Sequence, residues 1–540
     1  MFVFEWIVAV LVGAVLLAAL ARRVGAPYPA FLALGGVGLA LAPGFPNLRL
    51  DPDLALALFL APVLVDAGYA TSLRDLRVNW RPIAGLAVGA VLVTTLAVAV
   101  VVKMLVPDMP LSAAIVLGAI VAPPDAVAAL SVLAHVPLPH RLTTILRGES
   151  LLNDAGSLLI YRLGVAAAVT GHFSLSEVAP AFLLGVVGSL IAGPILARIY
   201  LWGMRWVSDP ASSIVLQFAA AFGVWIAAEA IELSGVLTVV SFALVVARYA
   251  PERTAPRPRI LSYAVWDTVI FVLNVLAFVL IGNQLGPILE RLRAAENLPF
   301  AMVAGSVLLT VVLVRIAWVL PASGIRRIGF AEARRSKDRS VLDLGNAFRK
   351  GIAAGGREAS DLGPGAGFAV SWAGMRGLVT IAGALALPES GPNGAFPYRD
   401  LIVLTAFAVV IGTLVIQGLT LRPLLAWLKL EDTDPVGHEV GWGRAEAYGA
   451  AIQSLEGDES DIAEALRREF RIVVEEAEAH EEGLAPEGLP ADDARRRAIQ
   501  AARERILALR RAGEIGDDAF FVLEEEFDWT ELSATPRAET

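Results

Sequence analysis

The stretch GAIVAPPDAVAALSVLAHVPLPHRLTTILRGESLLNDAGSLLIY, residues 118–161, decides the fold. It sets Asp125, Glu149, Asn153 and Asp154 inside runs that are otherwise apolar enough for a lipid bilayer. Ionisable side chains at membrane depth are costly unless they face a partner or a wet cavity, so these four positions are functional candidates. Pro123 and Pro124 stand directly before Asp125. A proline pair removes two backbone donors and interrupts the helix, leaving free carbonyls and a half-helix end inside the membrane. Carboxylates beside freed carbonyls predict a cation site.

Composition agrees with a chain that lives in lipid. Of 540 residues, 56% are hydrophobic and 18% charged, and the mean hydropathy of +0.65 requires many spanning segments. With no cysteine there is no disulfide, thiol nucleophile or thiolate ligand, and five histidines, none paired at metal spacing, argue against a histidine-built metal site. Runs of spanning length fall at about 2–21, 28–43, 53–70, 82–106, 110–135, 142–170, 179–204, 211–231, 234–249, 261–286, 298–321, 365–388 and 401–427, which predicts about thirteen transmembrane helices. The first run lacks a basic leader and is followed by Arg22 and Arg23, so it reads as a retained helix. Lys and Arg crowd the loops on one side, from Arg22 and Arg74 to the cluster between Arg326 and Arg357. The opposite side carries only Arg49, Lys103, Arg291, Arg293 and Arg399. The bias places the N-terminus outside and the C-terminal tail in the cytoplasm of a multi-pass cell-membrane protein.

Charge also marks a domain boundary. From Glu431 onward there are 29 acidic and 12 basic residues, a net of −17, against +8 for the first 430. Residues 1–430 therefore read as the transmembrane domain and 431–540 as a small, acidic, soluble helical domain. Its amphipathic segments suit either a regulatory or a dimer-stabilising role, and its basic run from Arg495 to Arg511 is matched by acidic neighbours, as a solvated helix face is. Nucleic acid is not indicated.

A second interrupted segment lies at PGAGFAVSWAGMRGLVTIAGALALP, residues 364–388, where glycines loosen the backbone around a central Arg376. It follows segment five by seven spans, so the two cross the membrane in opposite directions. Paired broken helices in inverted repeats point to a transporter's binding site; segments one to six and eight to thirteen read as the repeats. On segment six, Ser150, Asp154 and Ser157 share one helical face, with Glu149 and Asn153 beside it. That face offers hard oxygen ligands to a small monovalent cation. Glu149 reads either as the partner of Arg376 in a buried ion pair joining the two halves or as a direct ion contact. Arg315 reads as a partner for a carboxylate or for free carbonyls. Asn274 and Asp267 share a stripe on segment ten.

The motifs APPDAVAALSVL, ILRGESLLNDAGSLLIYRL, FVLNVLAFVLIG, SWAGMRGLVTIA and TLVIQGLTLRPLL resemble those of the bacterial sodium/proton exchangers of the monovalent cation–proton antiporter family, over roughly residues 5–428. The resemblance implies a homodimeric carrier with a mobile core and an elevator-like alternating-access cycle. It implies that Asp154 is the essential ion- and proton-binding carboxylate, Asp125 the acid of the first broken helix, and Ser150 a side-chain ligand. Glu149 and Arg376 would form the structural ion pair, Asn153 would mark the electroneutral branch, and Asn274 would brace the core. Asp66 stands where the family has a glutamate lining the cytoplasmic approach, and Pro124-Asp125-Ala126 replaces the usual Thr-Asp-Pro. The expected function is exchange of cytoplasmic Na+, or Li+ or K+, for external H+, serving pH and sodium homeostasis, with no cofactor and no enzymatic activity. A K+/H+ antiporter, a cation channel and an intramembrane enzyme are the alternatives.

Overall fold

The computed structural model describes residues 2–24, 28–40, 52–125, 129, 139–170, 175–207, 209–250, 254, 256–283, 300–335, 364–388, 396–430, 435–479, 490–512 and 517–533. Among them the regular structure is helical throughout, without strands. The chain divides into two compact units, Met1–Leu430 and Glu431–Thr540.

In the first unit α1 spans Phe2–Val24, α2 Tyr28–Ala40, α3 Pro52–Tyr69, α4 Leu73–Val78 and α5 Trp80–Leu105. There follow α6 Leu111–Val121, α7 His140–Thr170, α8 Leu175–Gly203, α9 Pro210–Ala230 and α10 Gly235–Tyr249. The remainder is α11 Pro256–Asn283, α12 Phe300–Arg335, α13 Pro364–Trp372, α14 Leu378–Leu385 and α15 Arg399–Leu428. Six described stretches, within α5, α8, α9, α11, α12 and α15, are long and apolar enough to cross a membrane, and shorter apolar stretches lie in α1, α3, α6 and α10. Large apolar side chains such as Leu16, Leu96, Leu184, Ile199, Ile226 and Leu309 are exposed, as a lipid-facing surface demands.

Helix starts follow local chemistry. Asp209 caps α9, accepting the Ser212 N–H at 2.8 Å, with Pro210 in the first turn, and Ser234 caps α10. A π-helical turn at Gly85–Ala90 inside α5 leaves the Gly85 carbonyl to the Trp318 indole N–H at 3.1 Å, and Gly89, having no side chain, makes room for that ring.

Packing separates α5–α7 and α12–α15 from α1–α3 and α8–α11. In the first group α6 lies on α5 and α7, while α12 contacts α5, α13 and α15. In the second, α10 lies on α8, α3 and α9, and α11 lies on α2. The seam between them is formed where α14 meets α3, α2 meets α15 and α7 meets α10. Segments five and twelve are both interrupted, as the sequence predicts: α6 stops at Val121, and residues 373–377 separate α13 from α14. Every α6 residue from Val116 to Val121 is buried. Irregular backbone at membrane depth is tolerated only inside protein or along a wet cavity, which is where this break lies.

In the second unit α16 (Pro435–Ser454) packs on α17 (Asp461–Ala479), and α18 (Pro490–Arg511) on α19 (Asp517–Ser533). Tyr448 meets Phe470 edge to face at 5.2 Å, and the Arg510 guanidinium lies 4.3 Å above the Phe520 ring. The basic run finds acidic partners: Arg495 binds Glu469 at 2.8 Å, and Arg503 binds Asp528 and Glu531. Asp458 accepts the Ser460 N–H ahead of α17, which holds its carboxyl below the usual range.

Candidate cation site

Proline sets the site's architecture. Pro123 and Pro124 end α6, so the carbonyls of its last turn lose their helical donors and must find others. They find them on side chains. Arg376 donates from Nε to Val121 O at 2.8 Å and from Nη2 to Ala122 O at 3.0 Å. Asn153 donates from Nδ2 to Pro124 O at 2.9 Å, and the Ser157 hydroxyl to Ala119 O at 2.6 Å. The two breaks touch directly, because the Asp125 N–H donates to Met375 O at 2.7 Å. Gly377 permits the crossing, since a Cβ there would overlap the Asp125 carboxylate.

Arg376 is thus a carbonyl cap. It also donates to Gly374 O, and its backbone N–H is received by Thr413 Oγ1 at 3.0 Å. The expected pairing of Glu149 with Arg376 is corrected by the structure, in which Glu149 binds Arg315 of α12. Nη1 donates to Oε1 at 2.5 Å and Nη2 to Oε2 at 2.8 Å, with both residues buried. Arg315 also reaches Val370 O, and Gly374 leaves its guanidinium space. The physical reason is donor supply: five N–H groups belong where carbonyls are orphaned, and Arg376 sits in the break facing them. Arg315, arriving from an unbroken helix, supplies the planar fork that a carboxylate needs. Glu149 still joins two parts of the core, α7 and α12, by a partner other than the one expected.

Beside this crossing lies a cavity of about 340 Å³. Asp125, Asp154, Ser150 and Thr380 line it together with Asp66 of α3, Tyr28 of α2, Asn274 of α11 and Arg147 of α7. Asp154 is buried and Asn153 fully so, while Asn153 is turned away toward Pro124. Asn274 is also buried, beside Tyr28 on the cavity wall. Three carboxylates, of Asp66, Asp125 and Asp154, and the hydroxyls of Ser150, Thr380 and Tyr28 around one cavity make a hard-oxygen environment suited to an alkali cation. Of the sequence candidates, Asp154, Asp125, Ser150, Asp66 and Asn274 come to the cavity; Glu149, Asn153 and Arg376 lie in the frame behind it. Thr380, Tyr28 and Arg147 are additions that sequence reasoning passed over. For Arg147 a signal existed, since it precedes Ser150 by three positions and Asp154 by seven on the same helical face.

The cavity runs toward the C-terminal turns of α3, lined at Leu64, Asp66, Ala67 and Ala70, and toward the N-terminal half of α7. A second cavity of about 100 Å³ shares Asp66 and adds Asp267, Arg259, Tyr69 and Gln217. On the other half of α7 the seam is shut. Leu158 packs against the Val236, Val239 and Val240 cluster, and Arg162 binds Glu229 at 2.8 and 3.0 Å. Glu229 in turn accepts the Gly235 N–H at 3.2 Å.

Residues 7–427 match the family model described as sodium/hydrogen exchanger, transmembrane. An uncharacterized Na+/H+ exchanger of Mycobacterium tuberculosis is 28% identical over 97% of this chain and 94% of its own. The Na+/H+ exchanger YjcE of Escherichia coli, also uncharacterized, is 30% identical over 77% of this chain and 75% of its own. A sodium, potassium, lithium and rubidium/H+ antiporter of Bacillus subtilis is 27% identical over 91% and 72%. Among solved structures, the sodium proton antiporter MjNhaP1 of Methanocaldococcus jannaschii shares the fold, with a TM-score of 0.55 and 17% identity over 77% of this chain and 98% of that one.

Proposed function

The chain belongs to the sodium/hydrogen exchanger family, and from that premise we propose that it exchanges cytoplasmic Na+ for external H+ at Asp154, by alternating access of one cavity. The observation that carries this reading is the convergence of Asp125 and Asp154 on a single cavity at the crossing of two broken helices. Cation and proton neutralise the same carboxylate, so binding one releases the other. Competition for one anion couples the two fluxes.

The chain's residues divide the work. Asp154 carries the exchanged ion; Asp125, Ser150 and Thr380 complete the oxygen surroundings. Arg376, Asn153 and Ser157 hold the broken α6 by its carbonyls, so the site keeps its shape while unloaded. The Glu149–Arg315 pair fixes α7 to α12. The loop charges assign the N-terminus to the outside and the tail to the cytoplasm. The cavity then opens on the cytoplasmic side, and the Arg162–Glu229 seam lies on the external side. Function as a homodimer and service in pH and sodium homeostasis belong to the same proposal. The name of the Bacillus subtilis relative favours a second reading, acceptance of K+, Li+ and Rb+ as well as Na+.

Dye-reported proton movement in everted membrane vesicles tests the proposal. Addition of NaCl to respiring vesicles containing the protein is expected to dissipate the pH gradient, and KCl and LiCl rank the cations. The absence of a response to every alkali salt, with the protein present and folded, would refute it.

A further inference from the structure

The cavity contains a positive charge that cation binding does not explain. Of the arginines on α7, Arg141 donates to Asn79 Oδ1 at 3.0 Å and Arg162 binds Glu229. Arg147 is different: it lines the cavity, is exposed, and makes no hydrogen bond or salt bridge among the described residues, its charge interacting across the cavity with Asp66 of α3. Its position three and seven residues before Ser150 and Asp154 puts it on their face of the helix, about 10 Å from Asp154 along the axis at 1.5 Å per residue. It stands on the part of α7 toward which the cavity runs. Every cation approaching Asp154 along that route passes it.

The geometry points to Arg147 as an affinity-setting residue for the exchanged cation, a fixed positive charge that weakens occupancy of the Asp154 site from the cavity side. This rests on the proposed role of Asp154. A site that bound its cation too tightly would release it slowly, and a like charge a short distance away reduces occupancy without occupying a ligand position. Unit charges about 10 Å apart, between the effective dielectric of a protein surface and that of water, change affinity by about two- to fifteenfold. The acids facing the guanidinium are Asp66 on α3, Asp125 at the α6 break and Asp154 on its own helix, with Tyr28 of α2 opposite; Asp267 and Arg259 of α11 face the adjoining cavity.

One consequence separates this role from a structural one. Arg147 repels Na+ and H+ equally, since both carry one charge, so removing it strengthens both. Where protons are scarce, only the gain for Na+ is seen. Where protons hold the site, the two gains cancel in the apparent KM.

The experiment measures the Na+ dependence of exchange in everted vesicles containing the full chain, across a pH series, for the parent protein, Arg147→Gln, Arg147→Met and Arg147→Lys. At alkaline pH the two neutral variants are expected to lower the apparent KM for Na+ by about two- to fifteenfold, with a smaller change in maximal rate, and the lysine variant to keep the parent value. Toward acid pH the difference is expected to close. An unchanged or raised KM in the neutral variants at alkaline pH overturns the inference, as does a lysine variant that behaves like them. Failure of the underlying reading shows separately, as a parent protein whose KM for Na+ does not rise when the pH falls.

Discussion

Glu149 and Arg315 are both almost wholly excluded from solvent, and two hydrogen bonds join them. Breaking such a pair from one side strands a buried charge, at a cost of about 3–5 kcal/mol, whereas replacing both partners is milder. The double-mutant cycle of Glu149→Gln and Arg315→Met, read by thermal melting in detergent, is therefore expected to be strongly non-additive. The cycle of Glu149→Gln with Arg376→Met is expected to show a smaller coupling than the first, because Arg376 feels the Glu149 charge without binding it and holds carbonyls of Val121 and Ala122 that no change at Glu149 relieves. Strict additivity in the first cycle would contradict the assignment. Helical spacing made the carboxylates legible in the sequence, since Glu149, Ser150, Asn153 and Asp154 lie on one helix whose faces follow from counting. It does not identify partners between helices. A count of orphaned donors and acceptors was the missing signal: a proline break leaves carbonyls, and an arginine in the facing break is what satisfies them.

The breaks themselves were legible as elements, since Pro123 and Pro124 end α6 and the glycines flanking Arg376 part α13 from α14. Their contact was not, because it depends on which glycine lies against which acid. Gly377 lies against Asp125, and a methyl there forces either the carboxylate or the Asp125–Met375 backbone bond to move. Gly377→Ala is expected to lower exchange by roughly tenfold or more, as small misplacements of reacting groups do. Gly383→Ala in the adjoining α14 meets only Ile120 at 3.6 Å, an ordinary contact, and is expected to transport normally. Equal transport by the two variants would show that the crossing tolerates displacement. The span that carries the chemistry, α7, is legible both as the apolar run 142–170 and through the polar residues set into it.

At the scale of the whole molecule, the charge change along the chain falls at residue 430, where the two compact units divide. The acidic tail was readable from composition, while the pairing of its helices required coordinates. The transporter's net charge through its cycle follows from the site. Asn153 cannot titrate, Glu149 is offset by Arg315, and Asp154 is the group proposed to exchange its proton. One proton for one cation leaves the core's charge unchanged, so a membrane potential, worth about 2.3 kcal/mol per unit charge per 100 mV, should not drive the cycle. In proteoliposomes with equal Na+ and equal pH on both sides, a potassium–valinomycin potential is expected to produce no sustained pH change. A Na+-dependent change would show electrogenic exchange. The claim on which all of this depends is that cation and proton share Asp154. Sodium-driven proton flux in proteoliposomes containing Asp154→Asn, set beside the parent protein reconstituted at equal density, tests it most directly. The account predicts that the variant melts as a folded membrane protein and exchanges nothing; retained exchange in that folded variant would contradict it.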